Sequence, residues 1–171
     1  MNKVFKTCVL LIFGFLNLYP SISYSNEKIR VGLLIPITGE NKNLGQQIIK
    51  STRMALKEIG TEKIEIYLKD TNSDPNKTVK SAIELKEMGI KIVIGPIFYK
   101  SLTYLDELEN IIFLSLTNRT LGLPNNVIST GVNATSQLNG IKKFLKKEEV
   151  KKTILLTPNL DYKDEIKKAI K

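Results

Sequence analysis

The sequence predicts an α/β fold, a parallel sheet flanked by helices, and three observations point there. Ile29, Val31, Leu33, Leu34 and Ile35 form the near-continuous apolar run of a strand covered on both faces, which is how parallel sheets read. Short runs rich in Ile, Val and Leu then alternate with segments of helical spacing. Strands separated by helices of about ten to fifteen residues require right-handed crossovers, and so parallel pairing.

The elements follow in order. The first strand ends in Pro36-Ile37-Thr38-Gly39, and the loop from Pro36 to Asn43 lies where open parallel sheets meet ligands, at the carboxyl ends of strands. Leu44, Ile48, Thr52, Ala55 and Ile59, with Leu56 beside them, predict a helix stopped by Gly60. Ile64, Ile66 and Leu68 predict a second strand ending at Asp70. Asp74 and Pro75 open the next helix as cap and first residue, Val79, Ala82, Ile83, Leu85 and Met88 give its apolar side, and Gly89 ends it. Ile92 to Ile94 is a third strand, and a helix capped by Ser101 presents Leu102, Leu105 and Leu108 to the core. Further strands are expected over 111–116, 127–131 and 153–157. Between the last two, Ser136 caps a helix carrying Leu138, Ile141, Phe144 and Leu145. The chain reaches Lys171 inside a helix with no closing signal, so a truncated chain is expected.

Residues 1–25 read as a cleavable secretory signal peptide. Lys3 and Lys6 precede the apolar core Thr7 to Tyr19, and Ser23-Tyr24-Ser25 supplies small residues before the cut. Cys8 stands at the front of that core, whereas a lipoprotein cysteine would stand behind it, so lipidation is not expected. Cleavage removes the single cysteine and those two lysines, taking the formal charge from +9 to +7. With no His and no Cys, the exported chain excludes cysteine nucleophiles, Ser-His triads and the common zinc sites. Arginine occurs only at Arg30, Arg53 and Arg119; the remaining positive charge is lysine spread along helix faces, without the clustering with aromatics that nucleic-acid binding needs. No cofactor and no stable membrane insertion after cleavage are expected.

Five blocks in order and spacing, VGLLIPITGENKNLGQ, KDTNSDP, IVIGPIFYKSL, FLSLTNRT and LLTPNLDY, resemble the type I periplasmic binding proteins of the leucine-binding type. The resemblance covers nearly all of residues 28–171. It implies Rossmann-like halves in a bilobed protein with the ligand or partner in the cleft between lobes. Residues 26–132 would be an incomplete lobe one and residues 133–171 the start of lobe two. In the branched-chain amino-acid branch, the third-strand loop is Ser-rich and the next strand runs into a Ser-Pro-Ala turn. Here Tyr99 and Lys100 stand at the hydroxyl positions, and the fourth strand leads into Thr117-Asn118-Arg119. That pattern is similar to the penicillin-binding protein activator branch, whose partner is a peptidoglycan synthase. The alternative is a solute-binding subunit that takes a small polar ligand such as an amino acid and serves a membrane permease.

The candidate ligand-binding residues are Thr38, Gly39, Tyr99, Lys100, Ser101, Ser115, Thr117, Asn118, Arg119 and Tyr162. Ser115, Thr117 and Asn118 lie at a strand end where cleft residues gather, which favours function; the others have a structural alternative. Thr38 and Gly39 build a turn. Tyr99 packs over a strand end, Lys100 is solvated, and Ser101 caps its helix while its N–H groups face an anion. Arg119 has the planar fork that suits a carboxylate or phosphate, or it pairs internally with Asp70 or Glu40. Tyr162 matches the Tyr of the family's Asp-x-x-Tyr-Gly turn, with Lys163 in place of the Gly. Asp70 and Asp74 could be taken as a catalytic pair, but one is explained as a strand-end acid and the other as a cap, so no catalytic residue is expected.

Overall fold

The computed structural model describes residues 28–157 and 162–170. The expected signal peptide falls outside the described residues. The strands are β1 (Ile29–Ile35), β2 (Ile64–Asp70), β3 (Ile92–Ile94), β4 (Ile112–Ser115) and β5 (Val127–Ser129). The α-helices are α1 (Lys42–Ile59), α2 (Pro75–Glu87), α3 (Ala134–Lys147) and α4 (Lys163–Ile170). All strand pairs are parallel, in the order β2-β1-β3-β4-β5. The chain moves from β1 outward to β2 and then returns to the other side of β1 as β3, so the connections diverge between β1 and β3. In open sheets, a crevice forms there, outside the carboxyl ends.

The core lies on one face of the sheet. Leu34, Val93, Phe113 and Val127 share that face with Ala82 and Leu85 of α2 and with Leu102, Leu105 and Leu108. Phe113 is fully buried, as are Ala82 and Leu85. On the opposite face, α1 lies over β1 and β2, where Ile49 and Leu56 meet Leu33, Ile66 and Leu68 around a narrow hollow. Gly45 is the one buried residue of α1, because a Cβ there would stand 1.7 Å from the Pro36 carbonyl. Away from α1 this face is open: Ile92, Ile112 and Ile128 are about half exposed on adjacent strands.

α2 begins as its sequence predicts. Asp74 accepts a hydrogen bond from the Lys77 N–H, and Pro75 takes the first helical position. Ile83 and Met88, expected on its apolar side, are substantially exposed, and α2 buries Thr78 and Ser81 instead. Gly60 closes α1 in the left-handed conformation.

Three expectations are corrected. The helix expected from Ser101 is two short 3-10 turns, Tyr99–Leu102 and Leu105–Glu107, separated by Tyr104 at φ 65°. The strict spacing by three of Leu102, Leu105 and Leu108 suits three residues per turn, and all three are buried. Ser101 is not the cap; Phe98 precedes the first turn, and the Ser101 hydroxyl lies buried with no hydrogen-bond partner among the described residues. The cap of α3 is Asn133, not Ser136, because its side-chain oxygen accepts from the Ser136 N–H at 3.0 Å, three residues on. Residues 153–157 form no strand. No described segment pairs with them, and Ile154 and Leu156 are 80% and 89% exposed. Among the described residues no helix is long and apolar enough to cross a membrane.

Candidate functional site

Four loops meet at the carboxyl end of the sheet. The loop after β1 is held by Asp70, the last residue of β2 and the register partner of Ile35. The Asp70 carboxylate accepts from the Ile37 N–H at 2.7 Å, the Thr38 N–H at 3.2 Å, the Thr38 hydroxyl at 2.6 Å and the Asn72 N–H at 2.9 Å. Lys77 of α2 closes the cluster as an ion pair at 2.5 Å. Burial alone would raise the Asp70 carboxyl, but the bonds from Lys77, Thr38, Ile37 and Asn72 outweigh it and hold the group well below the ordinary carboxylate range. Thr38 therefore serves the turn.

Gly39 has φ 79°, and a Cβ there would meet the Asn72 side-chain oxygen at 2.1 Å. Gly39→Ala is expected to destabilise by about 1–2 kcal/mol, the cost of a left-handed residue with a Cβ, as read by urea unfolding.

The loop after β2 turns through two left-handed residues, Asn72 and Ser73. Ser73 accepts a hydrogen bond from the Asn41 amide at 3.0 Å, which ties the first two loops together. The loop after β3 begins at a cis Gly95-Pro96 bond. The Pro96 carbonyl accepts from the Leu116 N–H and from the buried Ser115 hydroxyl at 2.8 Å.

Ser115 and Thr117 continue this inward pattern. Thr117 is 2% exposed, its N–H donates to the Ser115 hydroxyl, and its own hydroxyl accepts from the Arg119 N–H. These two hydroxyl residues knit the loop after β4. Asn118 is exposed on the rim beside them.

Beyond them Arg119 lies between two rings, its guanidinium carbon 5.1 Å from the Tyr99 centroid and 5.2 Å from that of Tyr162. Contacts of this length fit cation–π attraction to both rings. Asp70 is paired with Lys77. Tyr162 donates from its hydroxyl to the Asn118 carbonyl at 3.3 Å, and the Tyr99 hydroxyl reaches the Gly122 carbonyl at 3.4 Å. Asn41, Ser73, Phe98, Tyr99, Lys100 and Arg119 enclose an open hollow of about 720 Å³.

The family model described as periplasmic binding protein matches residues 28–171. The chain belongs to that family. The solved structure of full-length LpoA from Haemophilus influenzae superposes with a TM-score of 0.64 at 19% identity, over 90% of this chain and 30% of that one. LivJ, the branched-chain amino acid transporter substrate binding protein of Streptococcus pneumoniae, in complex with isoleucine, superposes with a TM-score of 0.59 at 19% identity, over 84% of this chain and 46% of that one. By sequence, the Leu/Ile/Val-binding protein homolog 1 of Brucella abortus is 39% identical over 71 residues, 38% of this chain and 19% of that protein. The chain thus spans less than half of each of these proteins. The likenesses to the solved structures show that its parallel sheet and helices share their fold.

In this periplasmic binding protein the sequence-predicted residues separate into two groups. Tyr99, Lys100 and Arg119 wall the hollow, and Tyr162 stacks on Arg119. Thr38, Gly39, Ser101, Ser115, Thr117 and Asn118 do not line it. Asn41, Ser73 and Phe98 line it and were not singled out, although Asn41 falls within the loop marked after β1 and Ser73 within the KDTNSDP block.

Glu165 of α4 was missed altogether. It is 3% exposed and accepts from the Thr120 N–H and hydroxyl, both at 2.6 Å, and from the Leu121 N–H at 2.7 Å. Burial would raise its carboxyl, but these bonds and the nearby Arg119 charge hold it below its ordinary value. Glu165 stands beside Asp164 among the lysines of α4, and no pattern marks it in the sequence.

Proposed function

We propose that this chain is a non-catalytic binding module, exported to the periplasm without lipidation, that engages its ligand or partner through the hollow at the carboxyl end of the sheet. Within that class, the favoured role is that of a penicillin-binding-protein-activator-like protein acting on a peptidoglycan synthase. Residues 26–132 would form lobe one, and residues 133–171 would begin lobe two.

The observation that carries the reading is Arg119 stacked between Tyr99 and Tyr162, with Ser115 and Thr117 turned inward. Capture of an amino-acid carboxylate in a dry cleft calls for several donors aimed at one point. The hydroxyls of the β4 loop are bonded to their own loops, and two rings occupy the approach to the guanidinium. Such a wall suits a protein surface better than a small zwitterion.

A second reading, a solute-binding subunit of an ABC importer for branched-chain amino acids or similar solutes, is favoured by one feature. The hollow's volume falls in the range of small-molecule sites, roughly 300–1,000 Å³. The names of LivJ and of the Brucella abortus relative point the same way.

A thermal melt of the full chain with leucine, isoleucine or valine separates the two. A ligand at about 100 times its dissociation constant stabilises by about 2.7 kcal/mol, enough for a clear upward shift. The activator reading expects no shift, together with capture of a peptidoglycan synthase from membrane extract. A shift with any of the three amino acids overturns it.

A further inference from the structure

We propose that Glu165 is a positioning residue for the candidate site: its carboxylate fixes the rim loop 118–121 and thereby holds Arg119 between Tyr99 and Tyr162. The proposal rests on the reading of the hollow as the binding site. Its physical basis is independent of any ligand.

A carboxylate that is 3% exposed is costly to bury unless its oxygens are satisfied, and Glu165 meets that cost with three short bonds, all from Thr120 and Leu121. Thr120 and Leu121 belong to no helix or strand, so their backbone N–H groups have no ladder to join. The Glu165 oxygens fill that role, and Arg119 is the residue immediately before the first anchored N–H. Tyr162 precedes Glu165 by three residues, the spacing that places two side chains on one side of a helical turn. Its hydroxyl grips the Asn118 carbonyl on the other flank of Arg119. Asn118, Thr120 and Leu121 are thus each held from the same short segment, on both sides of Arg119 in the chain.

α4 has eight residues, too few to be stable alone, so the contact also seats the helix. The test must therefore read the stack itself and not only folding. The chain has three arginines, so the Nε–Hε region of a 15N-labelled sample offers three side-chain signals. Ring currents from Tyr99 and Tyr162 set the Arg119 signal apart from those of Arg30 and Arg53.

In Glu165→Ala the Arg119 signal is expected to move toward the other two while Arg30 and Arg53 hold their positions. An Arg119 signal that stays in place in a folded Glu165→Ala protein overturns the proposal. Should that variant lose its dispersed amide spectrum, Glu165→Gln and Thr120→Val decide instead. Gln retains an accepting oxygen, and Val removes one bond, so each is expected to shift the Arg119 signal part of the way. No shift in either overturns the proposal. The site reading fails separately: if Tyr99→Ala leaves capture of the synthase unchanged, the hollow is not the site, whatever Arg119 does.

Discussion

Phe113→Ala is expected to destabilise the protein by about 3–5 kcal/mol, measured by urea unfolding, with little change in the unfolding slope. Phe113 is 0% exposed at the centre of β4, paired in register with Val93 on one side and Val127 on the other. It lies against the cluster formed by Leu85 of α2 and the leucines of the 3-10 turns. Truncation removes the largest fully buried side chain among the described residues and leaves a cavity that three elements would have to close at once. The consequence for function is indirect but specific. β4 delivers Ser115, whose hydroxyl bonds the Pro96 carbonyl, so slack at Phe113 loosens the loops after β3 and β4 together. A smaller loss, below about 1.5 kcal/mol, would mean that the core relaxes around the gap.

The parts of the fold that could be read in advance are those written in local periodicity. β1 was legible because Val31 to Ile35 is apolar at every side-chain-bearing position, a pattern that only a doubly covered strand needs. The start of α2 was legible because Asp74-Pro75 combines a side-chain acceptor with a residue lacking the N–H that the helix would leave unpaired. The α3 cap read from the sequence, Ser136, stands three residues too late. Asn133 and Ser136 can both cap, and the choice fell to Asn133 because α3 starts at Ala134.

The turns around Tyr104 were illegible for a different reason. A tyrosine in the left-handed region runs against its own preference, so it is imposed by packing and not by composition. The site divides in the same way. Tyr99 and Arg119 could be marked because they depart from a known family pattern. Glu165 could not, since its role depends on a contact across 44 or 45 residues that no spacing rule encodes. The failure of residues 153–157 to form a strand follows the same logic: Thr153 to Thr157 has the right composition, but β structure requires a neighbour.

Asp70→Asn is expected to cost about 2–3 kcal/mol at neutral pH, since it removes the charge that Lys77 pairs with while leaving a side chain of the same shape. The sign of the pH dependence follows from the direction of the shift. Asp70 in the folded protein ionises more readily than in the unfolded chain, so folding favours its charged form. That contribution is complete above the unfolded value of about 4 and is lost as the pH falls toward the lower folded value. The gap between the parent and Asp70→Asn should therefore be widest near pH 7 and shrink below about pH 4, a trend that parallel urea titrations at three pH values would read. A gap independent of pH would assign the effect to shape and neutral hydrogen bonds alone. The site should respond as well. Asp70 fixes Ile37 and Thr38, and the Asn72-Ser73 turn that follows it carries Ser73 into the wall of the hollow beside Asn41. An uncharged residue at this position would leave both loops held by neutral bonds only. The neutral-pH loss of stability should then be accompanied by movement of the Asn41 and Ser73 backbone signals, while those of Thr120 and Leu121, anchored separately by Glu165, stay where they are.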